Sequence, residues 1–156
     1  MKFALAFLLL MLAAPAHAAF NPVEFFRGKT SGEGTLKVLL QAPKTIRVES
    51  VGRAEADGSL LLEQTIYEPE KPPRVRYWRL RQNGPNRFDG TLTDAASPVR
   101  VDVIGERVRI RYKAKNHLDF DQWLSPVDAR TVRNTMRVKR FGITVAHYDE
   151  LIRKGD

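Results

Sequence analysis

Cysteine is absent from the 156 residues, so the chain has no disulfide framework, no thiolate nucleophile and no thiolate metal ligand. Histidine is nearly as scarce: beyond His17, only His117 and His147 occur, too far apart in sequence to form a short-spaced ligand pair. A zinc or copper site is therefore not expected, nor any resident cofactor. No serine stands in a Gly-x-Ser-x-Gly turn, and Ser125, followed by Pro126, has no nearby histidine to act as its base. Long apolar runs are also missing. The longest, Phe3 to Leu12, falls short of the roughly 20 residues that cross a bilayer as a helix.

What that run does fit is a leader. Met1-Lys2 supplies a positive start, Phe3 to Leu12 an apolar middle, and Ala16-His17-Ala18 the small residues of a cleavage site. Residues 1–18 are thus expected to be a signal peptide cut after Ala18, and residues 19–156 a single exported, periplasmic domain. With no cysteine to lipidate, a lipoprotein anchor is not expected. The formal net charge of +8 favours anionic partners, and the export signal argues against nucleic acid among them.

Asn21-Pro22 before Val23-Glu24-Phe25-Phe26 predicts one helical turn with Asn21 as N-cap and Gly28 as terminator. After it no sustained 3.6-residue period appears. Period-two segments recur instead, bounded by Gly, Pro, Asn or Asp: 34–41, 45–53, 59–67, 74–81, 87–92, 99–104, 107–115, 119–125, 131–139 and 143–152. About ten strands with short hairpin links predict an all-β, up-and-down antiparallel meander. Closure into a barrel would hide its apolar face and remove its edges; a two-layer sandwich is the alternative.

Val108, Ile110 and Tyr112 alternate with Arg107, Arg109, Arg111 and Lys113, so one face is dry and the other basic. The same logic assigns Arg74, Arg76 and Arg100 to a solvated outer face. Tyr77-Trp78 disturbs the alternation of its strand. If Val75 and Tyr77 face inward, either a β-bulge follows or Arg79 points inward as well.

The segment Asp119-Phe120-Asp121-Gln122-Trp123, followed by Phe141-Gly142, resembles a bacterial envelope family of unknown function. Phe25-Phe26-Arg27-Gly28-Lys29-Thr30 with Gly32 and Gly34 resembles the start of the same family's domain. The resemblance implies a lipocalin-like β-barrel and an envelope address, and it implies no activity. Many members resemble lipoproteins, from which this chain departs by lacking the lipidated cysteine.

Asp119 and Asp121 share one strand face, and two neighbouring carboxylates can split their pKa values and act as an acid–base pair. The structural alternative is that both face solvent on the strand or pair with Arg130 and Arg133 to pin a loop; Asp128 belongs to the same acidic group, and no catalytic residue is assigned. The candidate ligand-binding residues are Arg79 and Asn134 for a polar head, with Tyr77, Tyr112, Trp123 and Phe141 lining a cavity. The chain is read as carrying a small hydrophobic or amphipathic ligand, a lipid or fatty acid. The other reading is an interaction module whose basic outer face, around Arg107, Arg109 and Arg111, meets an anionic membrane surface or a protein.

Overall fold

The computed structural model describes residues 20–156, and the signal segment expected at 1–18 lies outside the described residues. Asn21 opens α1 (Pro22–Phe26) by accepting from the Val23 and Glu24 amides at 2.9 and 3.3 Å. Pro22 stands where its missing N–H costs nothing. Gly28 does not end the helix itself. It begins the first strand at φ +85°, a backbone corner open to glycine.

Ten strands follow: β1 (Gly28–Val38), β2 (Lys44–Ala54), β3 (Leu60–Tyr67), β4 (Arg74–Gly84), β5 (Arg87–Leu92), β6 (Val99–Ile104), β7 (Arg107–Ala114), β8 (Leu118–Asp128), β9 (Thr131–Arg140) and β10 (Ile143–Lys154). Each pairs antiparallel with the next, and β1 pairs with β10 from Thr30↔Lys154 to Val38↔Ala146, so the meander is a closed barrel and not a sandwich. β1 starts earlier than its alternation suggested, because two inward positions, Gly32 and Gly34, carry no side chain to register as an apolar stripe.

One end of the barrel is plugged. Val23, Phe25 and Phe26 of α1 are buried with Leu60, Leu80, Phe88, Val108 and Val132 in the larger apolar cluster. A fully buried leucine such as Leu60 contributes about 1.5–3 kcal/mol relative to exposure. The helix backbone lies directly on β2: a Cβ on Gly52 would stand 1.8 Å from the Phe26 carbonyl oxygen. Lys154 locks the plug, its Nζ donating to the carbonyls of Glu24, Phe25 and Arg27 at 3.0, 2.7 and 2.8 Å. Toward the other end a smaller cluster of Ile46, Val48, Ile66 and Tyr148 packs with Leu36 and Met136. That end is rimmed by turns 39–43, 68–73, 93–98, 115–117 and 141–142.

The facing of β4 differs from expectation. Its register against β3 runs unbroken from Ile66↔Arg74 to Leu60↔Leu80, with no bulge at Tyr77-Trp78. Trp78 and Leu80 are the buried residues, so Arg76 takes the inward side and Tyr77 and Arg79 the outward side. Two adjacent alternations, Val75/Tyr77 and Trp78/Leu80, competed for one core. The pair able to bury against Leu60 and Leu62 decides, and a one-residue choice flips every side chain of the strand.

Candidate functional site

Polar residues interrupt the apolar lining part-way along the barrel. On β3, Gln64 lies between Leu62 and Ile66; on β4, Arg76 follows Trp78; on β10, Glu150 lies between Tyr148 and Ile152; on β9, Asn134 follows Val132. Gln64 organises one half of this belt. Its Oε1 accepts from Trp78 Nε1 at 2.6 Å and from Arg76 Nε at 2.9 Å. Trp78 meets Tyr112 edge-on at 5.7 Å, and Tyr112 stacks on Phe120 at 4.7 Å, forming an aromatic wall beside the guanidinium.

Among the described residues no carboxylate lies within 4.0 Å of Arg76, whose terminal nitrogens are left without an ionic partner. Burial pulls its pKa below the usual arginine range, with Tyr112, Asp94 and Glu150 acting the other way. An arginine stays charged under such a shift, so a cation is held inside the barrel.

Glu150 organises the other half, accepting from Asn134 Nδ2 at 2.8 Å. Burial pushes its carboxyl above the ordinary glutamate range, against the opposing pull of the Asn134 hydrogen bond and the Arg76 charge. Burial likewise pushes up the Tyr148 hydroxyl. Among the described residues, Thr30 Oγ1, Asn134 Oδ1 and the Tyr148 hydroxyl are buried without a hydrogen-bond partner. Unsatisfied groups of this kind are costly, and three on adjacent strands are suited to receiving a polar group from outside the protein.

Of the six residues proposed from sequence, Tyr112 and Asn134 lie in the barrel. Arg79 is outside and pairs with Glu55 at 3.0 Å, and Tyr77 is outside beside it. Trp123 stands on the outer wall, its ring covered by Arg107 and Arg109 with guanidinium carbons 4.5 and 5.3 Å from the centroid. Phe141 sits at the tip of the β9–β10 turn, 71% exposed. Arg76, Gln64, Tyr148 and Glu150 were missed. Gly32 and Gly34 were the available signal, since both lie against Glu150.

The acidic pair is also outside. Asp121 accepts from Arg109 Nε and Nη2, each at 2.8 Å, a bidentate bond that holds its carboxyl below the usual aspartate range, and Lys113 reaches Asp119 at 2.8 Å. A carboxylate kept ionised by arginine is a poor proton donor. Asp128 accepts from the Arg130 amide at 2.8 Å and shapes the β8–β9 turn. Arg111 pairs with Asp102 at 2.9 Å, so much of the basic outer wall is neutralised across strands.

The sequence profile of DUF3833, described as a protein of unknown function, matches residues 11–154. The chain belongs to this family. Among solved structures, the DUF3833 barrel is similar to the S-type phycobiliprotein lyase from Guillardia theta (TM-score 0.70, 6% identity, 86% of this chain and 90% of that one). It is also similar to a protein of unknown function from the DUF3598 family of Nostoc punctiforme (TM-score 0.67, 12% identity, 85% of this chain and 48% of that one). At such identities the likeness is one of fold, and the fold is lipocalin-like. No curated protein matches the sequence.

Proposed function

We propose that this DUF3833 barrel is an exported carrier of an amphipathic ligand, a lipid or fatty acid with a carboxylate-class head. The observation that carries this reading is Arg76, a guanidinium inside the barrel with no carboxylate partner among the described residues. Its terminal nitrogens offer the fork that a carboxylate accepts bidentately, and Gln64 holds that fork in place through Nε. The unpaired hydroxyls of Thr30 and Tyr148 can donate to a carboxylate head, while Asn134 Oδ1 can accept from a hydroxyl that the head also carries. Between the polar belt and the rim opposite the plug lies the cluster of Leu36, Ile46, Val48 and Ile66, which suits the start of an apolar chain. Burial there supplies about 25 cal/mol per Å² of apolar area before association costs.

The test is binding of a fluorescent long-chain fatty acid against the fatty alcohol of equal length. Tighter binding of the acid, by about tenfold or more, is expected, with the difference erased in Arg76→Gln. Equal binding of acid and alcohol, or binding of neither, overturns the reading. Native mass spectrometry of protein taken from its own cells identifies the bound ligand.

A further inference from the structure

The rim opposite the plug carries apolar side chains where solvent-exposed turns ordinarily carry polar ones. The β1–β2 and β9–β10 turns are neighbours on this rim because β1 pairs with β10, and the Leu39 amide donates to the Val145 carbonyl at 2.9 Å. Leu40 is 98% exposed and Phe141 71%, with Leu39 and Ile143 exposed beside them.

Leu40 and Phe141 also adopt left-handed backbone, at φ 62° and 50°. That conformation is unfavourable for an ordinary residue, a cost that glycine or asparagine would largely avoid. Two strained turns thus project large apolar side chains outward, where they add nothing to the core.

Charge surrounds this tip asymmetrically. Lys37, Lys115, Lys139 and Arg140 flank it, and among the described residues none of them has an acidic partner within 4.0 Å. The acids of the same rim are largely spent: Glu68 on Lys44 and Lys71, Asp94 on Arg74, and Asp119 on Lys113. Glu70 is the exception. Apolar tips inside a cationic ring match the boundary of an anionic bilayer, with acyl chains below and phosphates around.

We propose that the rim opposite the plug docks on an anionic lipid bilayer, Leu39, Leu40, Phe141 and Ile143 entering the headgroup region while Lys37, Lys115, Lys139 and Arg140 meet lipid phosphates. Docked this way, the barrel mouth faces the membrane and the α1 plug faces water. The docking does not depend on the barrel holding a ligand, and fatty-acid binding in solution is a separate readout.

The experiment is flotation of the purified protein, processed as its host processes it, with vesicles of phosphatidylcholine alone or mixed with phosphatidylglycerol. Binding to the mixed vesicles that weakens with salt is expected. Leu40→Ser with Phe141→Ser should abolish it, and Lys37→Ser with Lys139→Ser should weaken it about tenfold or more. Arg81→Ser with Arg100→Ser removes the same charge from the outer wall and should leave binding within about twofold. Equal loss from the wall and rim pairs, retention by the Leu40/Phe141 variant, or no binding by the parent protein overturns the proposal. Thermal melts matching the parent establish that each variant is folded. The turn substitutions are at exposed sites and leave the core intact.

Discussion

A Cβ on Gly32 would stand 2.0 Å from Oε1 of Glu150, so the space of the absent side chain is where the carboxylate lies. At Gly34 the obstruction is different: the nearest atoms are the Asp149 carbonyl oxygen at 2.5 Å and Glu150 Cβ and Cα at 2.7 and 2.8 Å. The end of a flexible side chain can swing away, whereas a strand backbone cannot. Gly34→Ala is therefore expected to cost about 1–3 kcal/mol of stability, more than Gly32→Ala. Adding Glu150→Ala should rescue Gly32→Ala and leave Gly34→Ala uncorrected, a comparison that urea denaturation of the double variants provides.

Glu150 also predicts how stability responds to pH. Its folded-state pKa is raised by burial, so its stabilising contribution is full below the ordinary glutamate value and declines as pH rises through the raised one. Between the ordinary and the raised values the folded protein retains a proton that the unfolded chain has released, and above the raised value it must hold a buried charge. Glu150→Gln keeps an acceptor for Asn134 and removes the titration. Its stability advantage over the parent should grow as pH rises above the ordinary glutamate value and level off once the raised value is passed; urea midpoints measured against pH follow it. An advantage that falls with pH would contradict the assignment.

Arg76 should show opposite effects on stability and binding. A cation kept in the barrel without a carboxylate partner is a cost to the ligand-free protein. Arg76→Leu is expected to stabilise it by roughly 1–3 kcal/mol while removing the preference for a fatty acid over its alcohol. Loss of both stability and binding would mean that the guanidinium is a structural strut.

Lys154 is the clamp of the plug. Lys154→Met leaves the carbonyls of Glu24, Phe25 and Arg27 without their donor and should cost about 1.5–3 kcal/mol. Faster hydrogen exchange at the Phe25 amide, which donates to the Asn21 carbonyl at 3.0 Å, would report that the helix itself has loosened.

The ten strands were legible because burial repeats every second residue and most hairpins announce their turn, as at Asp57-Gly58 or Gly105-Glu106. Ser125-Pro126, which reads as a turn, instead lies within β8 opposite Arg133 and Val132, and the chain turns at 129–130. The interior was less so. In Arg74-Val-Arg-Tyr-Trp-Arg-Leu80 both alternations contain large apolar residues, and the choice between them depends on Leu60 and Leu62, which lie on another strand. Arg76 therefore looked like one more surface arginine. Trp123 and Phe141 were placed inside on hydrophobicity, yet Trp123 is covered by arginine guanidinium groups on the outer wall and Phe141 caps an exposed turn. Asn134 was read correctly as an interior polar residue, but its partner Glu150 lies among outward-facing His147, Asp149 and Leu151 and carries no local mark of burial.

The seam between β1 and β10 also sets an order in time. The first strand's second neighbour is the tenth, so the barrel cannot close until β10 has been made. Bringing ends so far apart together carries an entropy cost that local hairpins do not, and folds dominated by such contacts form slowly. Until β10 is available, the outer edge of β1 has no partner and the sheet stays open along that seam.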